Sequence, residues 1–199
     1  ATKKKKAVER SSIDQRIDYR WIDLRTDENQ LMFKAQSCFV NAMRKFLLDR
    51  NFIEIHTPKL IAAASESGSE VFKVDYFDRN AYLAQSPQFY KQMAMAAGFE
   101  RIFETGPVFR AEKSYTNKHS TEFSGFDLEF SYITSYKDVM KMEEELLTAG
   151  LQAVKDNYGD QIKELFGQEV IVPTTPFPVV KLADLYKGLE EEFGYTVDE

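Results

Sequence analysis

The sequence predicts an α+β domain, because strand-like runs alternate with amphipathic helical stretches and two long strands form an antiparallel pair near the middle. A length of 199 residues is about that of one domain. Hydrophobic residues make up 43% of the chain and aromatic residues 14%, which is enough for a packed core and excludes disorder over most of it. The longest apolar runs, such as residues 60–64, are too short to cross a bilayer.

The charge and the cysteine content of the chain argue against several classes of function and site. Lys and Arg number 26 against 32 Asp and Glu, which gives a net charge of −6 and no global signal for nucleic-acid binding. The basic run Lys3–Lys6 is either a solvated tail or an RNA contact, and no apolar segment follows it, so a cytoplasmic protein without a signal peptide is expected. A single cysteine, Cys38, and two histidines, His56 and His119, exclude an intramolecular disulfide and an ordinary structural zinc site.

The first elements are a basic linker over residues 1–13 and a long helix from Thr26. Asn51 is expected to end this helix in the left-handed conformation, and residues 52–55 then form a short strand. The helix is predicted from apolar residues that recur at steps of three and four: Leu31, Ala35, Cys38, Phe39, Ala42, Met43, Phe46 and Leu47.

The next segment combines a loop, two strands and a helix. Small residues over 61–69 predict a loop, and strands are expected over 71–74 and 81–84. Ser86–Pro87 is typical of a helix start, with Ser as the N-cap and Pro at the first helical position. This helix is expected to run to about Ala97.

The central antiparallel pair consists of strands over 102–112 and 121–134, joined by a polar loop. Two further helices are predicted over 136–158 and 182–193. The acidic run Glu143–Glu145 in the first of them is expected to form a solvated face.

One face of the central strand pair carries charged and aromatic side chains. Alternation places Arg110 and Glu112 on one face of the first strand, and Phe123, Gly125, Asp127 and Glu129 on one face of the second. Arginine and phenylalanine on opposing strands are suited to clamping a phosphate-bearing aromatic ligand, and the glycine leaves room for it. A cross-strand ion pair that only stabilises the sheet is an equally good interpretation.

Three other residues are weaker candidates. Gln88 and Lys91 are three positions apart on one helix and therefore share a face, either solvated or directed at a small anionic ligand. His119 has an ordinary pKa suited to a general base, although a loop histidine is more often a plain polar contact.

Four segments resemble known sequence motifs. Residues 109–112 with 119–123 resemble motif 2 of the class II aminoacyl-tRNA synthetases, and residues 51–58 resemble motif 1. The segment 85–92, Gln-Ser-Pro-Gln-Phe-Tyr-Lys-Gln, is more specific and resembles the amino-acid-recognition helix of the aspartyl members, of the eukaryotic and archaeal type. Residues 64–68 resemble the flipping loop of the same group.

The resemblance implies a class II synthetase fold, an antiparallel sheet flanked by helices. Residues 14–199 would be the N-terminal part of its catalytic domain, incomplete at the C-terminus because motif 3 is absent, and inactive alone. The implied reaction activates L-aspartate with ATP and Mg²⁺ to aspartyl-adenylate and transfers it to the 3′ end of tRNA-Asp. The implied partners are tRNA-Asp, L-aspartate, ATP and a second copy bound through the motif 1 helix.

The resemblance also implies roles for individual residues, with Arg110 as the catalytic group that holds the α-phosphate and the reacting carboxylate. The implied aspartate-binding residues are Ser65, Glu66, Gln88, Lys91, Arg110 and Asp127. The implied ATP-binding residues are Arg110, Glu112, Lys118, His119, Ser120 and Phe123. The implied contacts to the tRNA acceptor end are Ser114 and Thr116, and no protein ligand for a metal is assigned.

The absence of motif 3 leaves an alternative open. The chain could be a non-catalytic synthetase-like paralogue or fragment that binds tRNA or a protein partner. In that case the lysine run would be an RNA contact, and its binding would weaken steeply with salt.

Overall fold

The computed structural model describes residues 11–63, 71–113, 116 and 118–195. Its architecture is α+β, as the sequence predicts. The chain divides into two compact units, one from Val40 to Val139 and the other formed by the described residues up to Phe39 and from Met140 onward. Most of the predicted linker and of the small-residue loop lies outside the described residues.

The unit from Val40 to Val139 is built on two three-stranded sheets, and the first has the order β1-β5-β6. Its strands are β1 (Ile53–Glu54), β5 (Arg101–Phe109) and β6 (Glu122–Phe130). Strands β5 and β6 form the predicted antiparallel pair, in a register that pairs Gly106 with Gly125. Strand β1 pairs with β5 in parallel, so the sheet is mixed rather than purely antiparallel.

The second sheet has the order β2-β4-β3 and is antiparallel. Its strands are β2 (Leu60–Ile61), β3 (Lys73–Tyr76) and β4 (Arg79–Leu83). Backbone hydrogen bonds continue this sheet into the first one: the Ala84 N–H donates to the Lys59 carbonyl at 2.9 Å, and the Phe109 N–H donates to the Ala84 carbonyl at 2.9 Å. The end of β4 is thereby held beside the end of β5.

The core of this unit consists of apolar side chains from both sheets and from the end of the long helix. Phe103 and Phe126 stack across the strand pair with ring centroids 5.8 Å apart. The buried apolar residues are Met43, Leu47, Phe52, Ile61, Ala81, Ala84, Ile102, Phe103 and Val108. Burial of each of the larger side chains in this list contributes about 1.5–3 kcal/mol to the stability of the fold. The sheet that carries the candidate site residues therefore packs on a stable core.

Helix α4 (Gln88–Ala96) follows the second sheet and begins one residue later than predicted. Pro87 is the N-cap residue, not the first helical residue. The Ser86 hydroxyl accepts a long hydrogen bond of 3.4 Å from the Gln88 N–H, so it caps the helix only weakly. The shift leaves Gln88 in the first turn and Lys91 one turn later.

The other unit is helical. It contains α1 (Ile13–Asp18), α2 (Arg20–Asp23) and α6 (Leu182–Phe193). Two longer helices, α3 (Asp27–Leu48) and α5 (Tyr136–Phe166), have most of their residues in this unit and the rest in the first one. Helix α6 has the predicted bounds, and the sequence patterns missed α1 and α2. Each of these two helices is less than two turns long, too short for a periodicity to be recognised.

Helix α5 is two turns longer than predicted, and one of its acidic residues is buried. The helical pattern continues through Ile162 and Leu165 to Gly167, whose φ of +65° ends the helix. The expectation of a solvated acidic face over residues 143–145 is wrong for Glu144, which is only 9% exposed. Consecutive helical residues point about 100° apart, so three of them cannot share one face.

The central strands are shorter than predicted. Strand β5 ends at Phe109 rather than at residue 112, and β6 ends at Phe130, shortly before Tyr132, whose φ of +60° turns the chain. None of the helices in the described residues combines the length and apolar character needed to cross a membrane.

Candidate active site

One face of the β5–β6 pair forms the floor of a small cavity. Strand alternation and the antiparallel register bring Glu104 opposite Asp127, and Val108 opposite Phe123, on that face. The cavity has a volume of about 80 Å³. It is lined by Lys59, Gln85, Ser86, Pro87, Glu104, Gly106, Val108, Arg110, Phe123, Gly125, Phe126 and Asp127.

The two glycines in the middle of the floor leave it flat. A Cβ atom added to Gly125 would lie 3.9 Å from the Gly106 carbonyl oxygen and from the Val108 methyl groups, which is ordinary van der Waals contact. The protein's own packing therefore does not require glycine at this position. The space is open to a ligand, in agreement with the sequence-based interpretation.

Arg110 and Phe123 lie side by side at one end of the cavity. The guanidinium carbon of Arg110 is 5.6 Å from the centroid of the Phe123 ring, which is a cation–π distance. The Arg110 Nε atom is buried and has no hydrogen-bond partner among the described residues, and the Phe123 ring is 40% exposed. A buried donor without an acceptor beside an open aromatic face suits an anion joined to a flat ring system.

Lys91 of α4 is 1% exposed and contacts residues of β6. Its ammonium group donates to the carboxylate of Asp127, to Glu129 Oε2 at 3.0 Å and to the Leu128 carbonyl at 3.4 Å. Gln88 on the same helix donates to the same Glu129 oxygen at 3.3 Å. The face of α4 that carries Gln88 and Lys91 is therefore directed at the sheet, which contradicts the interpretation as a solvated face.

Glu104 forms a second buried ion pair on the same floor and is 3% exposed. Its carboxylate accepts from Lys59 Nζ at 2.8 Å, from the Thr57 N–H at 2.9 Å and from the Thr57 hydroxyl at 2.7 Å. Burial alone would raise the pKa of Glu104. The hydrogen bonds from Lys59 and Thr57 outweigh burial and hold this pKa below its ordinary value of 4.5, so the carboxylate is ionised at neutral pH.

Other predicted residues do not line the cavity. Glu112, Lys118 and Ser120 are exposed in or near the loop between β5 and β6. His119 is also exposed, and its Nδ1 atom forms a hydrogen bond with the Thr116 hydroxyl, which is the plain polar contact given above as the alternative to a general base. Ser65, Glu66 and Ser114 lie outside the described residues.

Three residues that line the cavity were not singled out from the sequence. They are Lys59, Gln85 and Glu104. A signal for Glu104 was present, because it is the one charged residue between Ile102 and Val108, and strand alternation puts it on the same face as Arg110. Lys59 lies in an irregular segment before β2, and Gln85 lies beyond the end of β4, so no periodicity indicates which way either side chain points.

No group of three or more His, Cys, Asp or Glu side chains within the described ranges is arranged to hold a metal ion. The lining of the cavity is instead arginine, lysine, glutamine and paired carboxylates. Such groups can orient a ligand and neutralise its charges. Among the lining residues, no nucleophilic side chain is paired with a general base.

Known relatives cover most of this chain. An aspartate–tRNA(Asp/Asn) ligase of Aeropyrum pernix is 42% identical over 191 residues, which are 96% of this chain and 43% of that protein. A cytoplasmic aspartate–tRNA ligase of Caenorhabditis elegans is 46% identical over 166 residues, 83% of this chain and 31% of the relative. The chain thus spans less than half the length of these relatives.

Solved structures show the same fold. An asparaginyl-tRNA synthetase from Pyrococcus horikoshii complexed with asparaginyl-adenylate has a TM-score of 0.82 and 32% identity, covering 94% of this chain and 43% of that one. An aspartyl-tRNA synthetase from Entamoeba histolytica has a TM-score of 0.77 and 36% identity, covering 98% and 36%. The predicted fold class is thereby confirmed. Because the family model described as class II tRNA synthetases (D, K and N) also matches residues 12–195, the chain belongs to that family.

Proposed function

We propose that this chain is the N-terminal part, residues 14–199, of the catalytic domain of an aspartyl-tRNA synthetase. The full enzyme would activate L-aspartate with ATP and transfer it to tRNA-Asp. One observation carries the proposal: Asp127, one of two carboxylates that hold a buried lysine, lines the same small cavity as an arginine–phenylalanine pair. The first group is suited to an acidic amino acid and the second to the α-phosphate and adenine of ATP.

Selection of aspartate would depend on an exchange of charge partners. Lys91 is bound by Asp127 and Glu129, a cluster with a net charge of −1. An incoming aspartate would offer an ammonium group to Asp127 and a β-carboxylate to Lys91, whose ammonium would then be shared between that carboxylate and Glu129. Asparagine would offer Lys91 a neutral amide oxygen, which is a weaker hydrogen-bond acceptor for an ammonium group than a carboxylate is, and Gln88 would contact the bound amino acid beside it.

Adenylate formation would take place over the glycine floor. Arg110 would hold the α-carboxylate of aspartate and the α-phosphate of ATP, while Phe123 stacks against adenine. A carboxylate oxygen attacks the α-phosphorus, the bond to the bridging oxygen breaks, and pyrophosphate leaves with the Mg²⁺ that accompanies ATP. The protein contributes positioning and charge stabilisation, which are worth several kcal/mol in such sites.

The exposed loop residues would act on the outer parts of the substrates. Lys118, His119 and Ser120 would approach the β- and γ-phosphates, and Glu112 the adenine amino group or the tRNA end. In the second step the terminal 3′-hydroxyl of tRNA attacks the adenylate carbonyl and AMP leaves, with Thr116 and Ser114 near the acceptor end. Ser65 and Glu66 would cover the amino group of bound aspartate.

We also propose that the protein forms a homodimer through α3 and that it acts in the cytoplasm. Helix α3 carries exposed large apolar side chains at Met32, Phe33 and Leu48, which supports a partner along this helix. The similarity to the cytoplasmic aspartate–tRNA ligase of Caenorhabditis elegans supports the location.

The proposal is tested with the full-length protein by exchange of labelled pyrophosphate into ATP. We expect exchange that depends on aspartate, and a fall of about a hundredfold or more in Arg110→Ala, because one charged contact to the reacting phosphate is worth roughly 3–4 kcal/mol. Arg79→Ala is the matched control, since Arg79 is an exposed residue at the start of β4 and forms an ion pair with the exposed Asp78. Exchange without aspartate, or equal rates in both variants, would contradict the proposal.

A further inference from the structure

Two lysine–carboxylate clusters lie next to each other on the β5–β6 face that carries the cavity. One consists of Lys91, Asp127 and Glu129, and the other of Lys59 and Glu104. They meet where Glu104 of β5 is the direct cross-strand partner of Asp127 of β6. Like charges directly opposite each other in a strand pair repel, so each carboxylate needs its own neutralising partner.

The partner of Glu104 comes from outside the strand pair. Lys59 Nζ lies 2.8 Å from Glu104 Oε1 and donates a second hydrogen bond to the Thr57 hydroxyl at 2.9 Å. The Thr57 hydroxyl in turn donates to Glu104 Oε2, so the three side chains form a closed ring of hydrogen bonds. Both Lys59 and Glu104 line the same cavity as Arg110 and Asp127.

The charge of Lys59 therefore affects the electrostatic potential in the part of the cavity beside Asp127, where aspartate is proposed to bind. Without it, Glu104 would stay 97% buried beside Asp127 with one hydrogen-bonding residue, Thr57, and no counter-ion. Two adjacent carboxylates would then face a ligand that itself carries two carboxylates. In a site of low dielectric constant this repulsion acts over the width of the cavity.

We propose that Lys59 is a specificity-determining positioning residue of the aspartate pocket, which neutralises Glu104 and so allows a dicarboxylic amino acid to bind above it. The proposal rests on the function proposed above. It assigns a role to a residue that follows the motif 1 segment, on a different element from the helix that carries Gln88 and Lys91.

If Lys59 and Glu104 only stabilised the fold, they would form the same contacts. The test therefore depends on the direction in which each substitution changes the KM for aspartate. Lys59→Met removes the positive charge and leaves Glu104 negative, whereas Glu104→Gln removes the negative charge and leaves Lys59 positive. A structural role predicts that both variants are destabilised and impaired alike. An electrostatic role predicts that they change the KM for aspartate in opposite directions.

The experiment measures KM and kcat for aspartate in pyrophosphate exchange by the full-length protein. We expect the KM to rise about tenfold in Lys59→Met, to fall about threefold in Glu104→Gln, and to lie within about twofold of wild type in the double variant, with kcat changed less than KM. Thr57→Val is the matched control, because it removes hydrogen bonds from the ring without changing its charge. We expect it to lower the melting temperature and leave the KM for aspartate within about twofold.

Shifts of KM in the same direction in the two single variants, or no shift beyond twofold in either, would overturn the proposal. If Lys59→Met does not fold, Glu104→Gln is compared with the double variant: a lower KM in Glu104→Gln supports the proposal, and an equal or higher KM overturns it. A wild-type protein without aspartate-dependent exchange would contradict the proposed function and this inference together, whereas normal exchange with no opposite shifts would contradict this inference alone.

Discussion

Lys91 and Gln85 are the two most deeply buried polar side chains around the candidate site, at 1% and 0% exposure. A lysine is buried to this extent only when its charge is compensated, and Asp127 and Glu129 supply the compensation. The sequence could place Lys91 three residues after Gln88 on a helix. It could not show which face of the helix packs on the sheet, because that depends on how the two elements meet.

Glu104 makes the stability of the protein depend on pH. Because its pKa is lowered in the folded state, its ionised form stabilises the fold at pH values above the ordinary value of 4.5, and this stabilisation is lost as the pH falls through the lowered pKa. We expect Glu104→Gln to cost about 2 kcal/mol of unfolding free energy at neutral pH, since it weakens hydrogen bonds to a charged group.

The measurement is the urea midpoint of the full-length wild-type and Glu104→Gln proteins between pH 7 and pH 3. The difference between them should shrink as the pH falls below 4.5. Asp78→Asn, which changes an exposed ion pair, should behave like wild type at every pH. A difference that is constant over the whole range would show that ionised Glu104 does not stabilise the fold.

Among the elements, the end of α3 determines how the chain enters the first sheet. The Phe52 N–H donates to the Leu47 carbonyl and the Asn51 N–H to the Leu48 carbonyl, the paired hydrogen bonds of a Schellman motif. Asn51 has a φ of +63°, and both Leu47 and Phe52 are buried at the accompanying apolar contact. The sequence predicted this cap correctly, because it depends on local backbone conformation alone.

The cap gives a prediction for substitutions at Asn51. Asn51→Ala should lower the free energy of unfolding by about 1 kcal/mol, because the left-handed conformation is strained for residues with an ordinary side chain. Asn51→Gly should lie within about 0.5 kcal/mol of wild type, since glycine adopts this conformation without strain. Chemical denaturation of both variants measures the difference, and equal stabilities for alanine and glycine would contradict the role given to this φ angle.

Other elements show where local patterns are insufficient. The parallel pairing of β1 with β5 and the two-residue strand β2 were missed, since strands of two residues carry no alternation to recognise. The length of β5 was overestimated, because its alternation continues into the loop after the hydrogen-bonded pairs have ended at Phe109. These errors changed element bounds and left the central antiparallel pair correct.

At the level of the whole molecule, the fold class and the family were predictable and much of the site was not. The predicted face carrying Phe123, Gly125 and Asp127 is a cavity floor, and Arg110 lines the same cavity. The ion pair between Lys59 and Glu104 could not be predicted, because it joins residues 45 positions apart in the sequence. Such long-range pairs follow from the three-dimensional arrangement and leave no trace in a local pattern.

The most direct test of the account is the amino-acid selectivity of pyrophosphate exchange by the full-length protein, compared between wild type, Lys91→Met and the control Lys73→Met. Lys73 is an exposed strand residue, so its loss should change nothing. We expect wild type to use aspartate in preference to asparagine and lysine. Lys91→Met should lower kcat/KM for aspartate by a hundredfold or more, about 3 kcal/mol, without a parallel fall for asparagine. An enzyme that exchanges with asparagine or lysine but not aspartate, or a folded Lys91→Met variant with unchanged aspartate kinetics, would contradict the account.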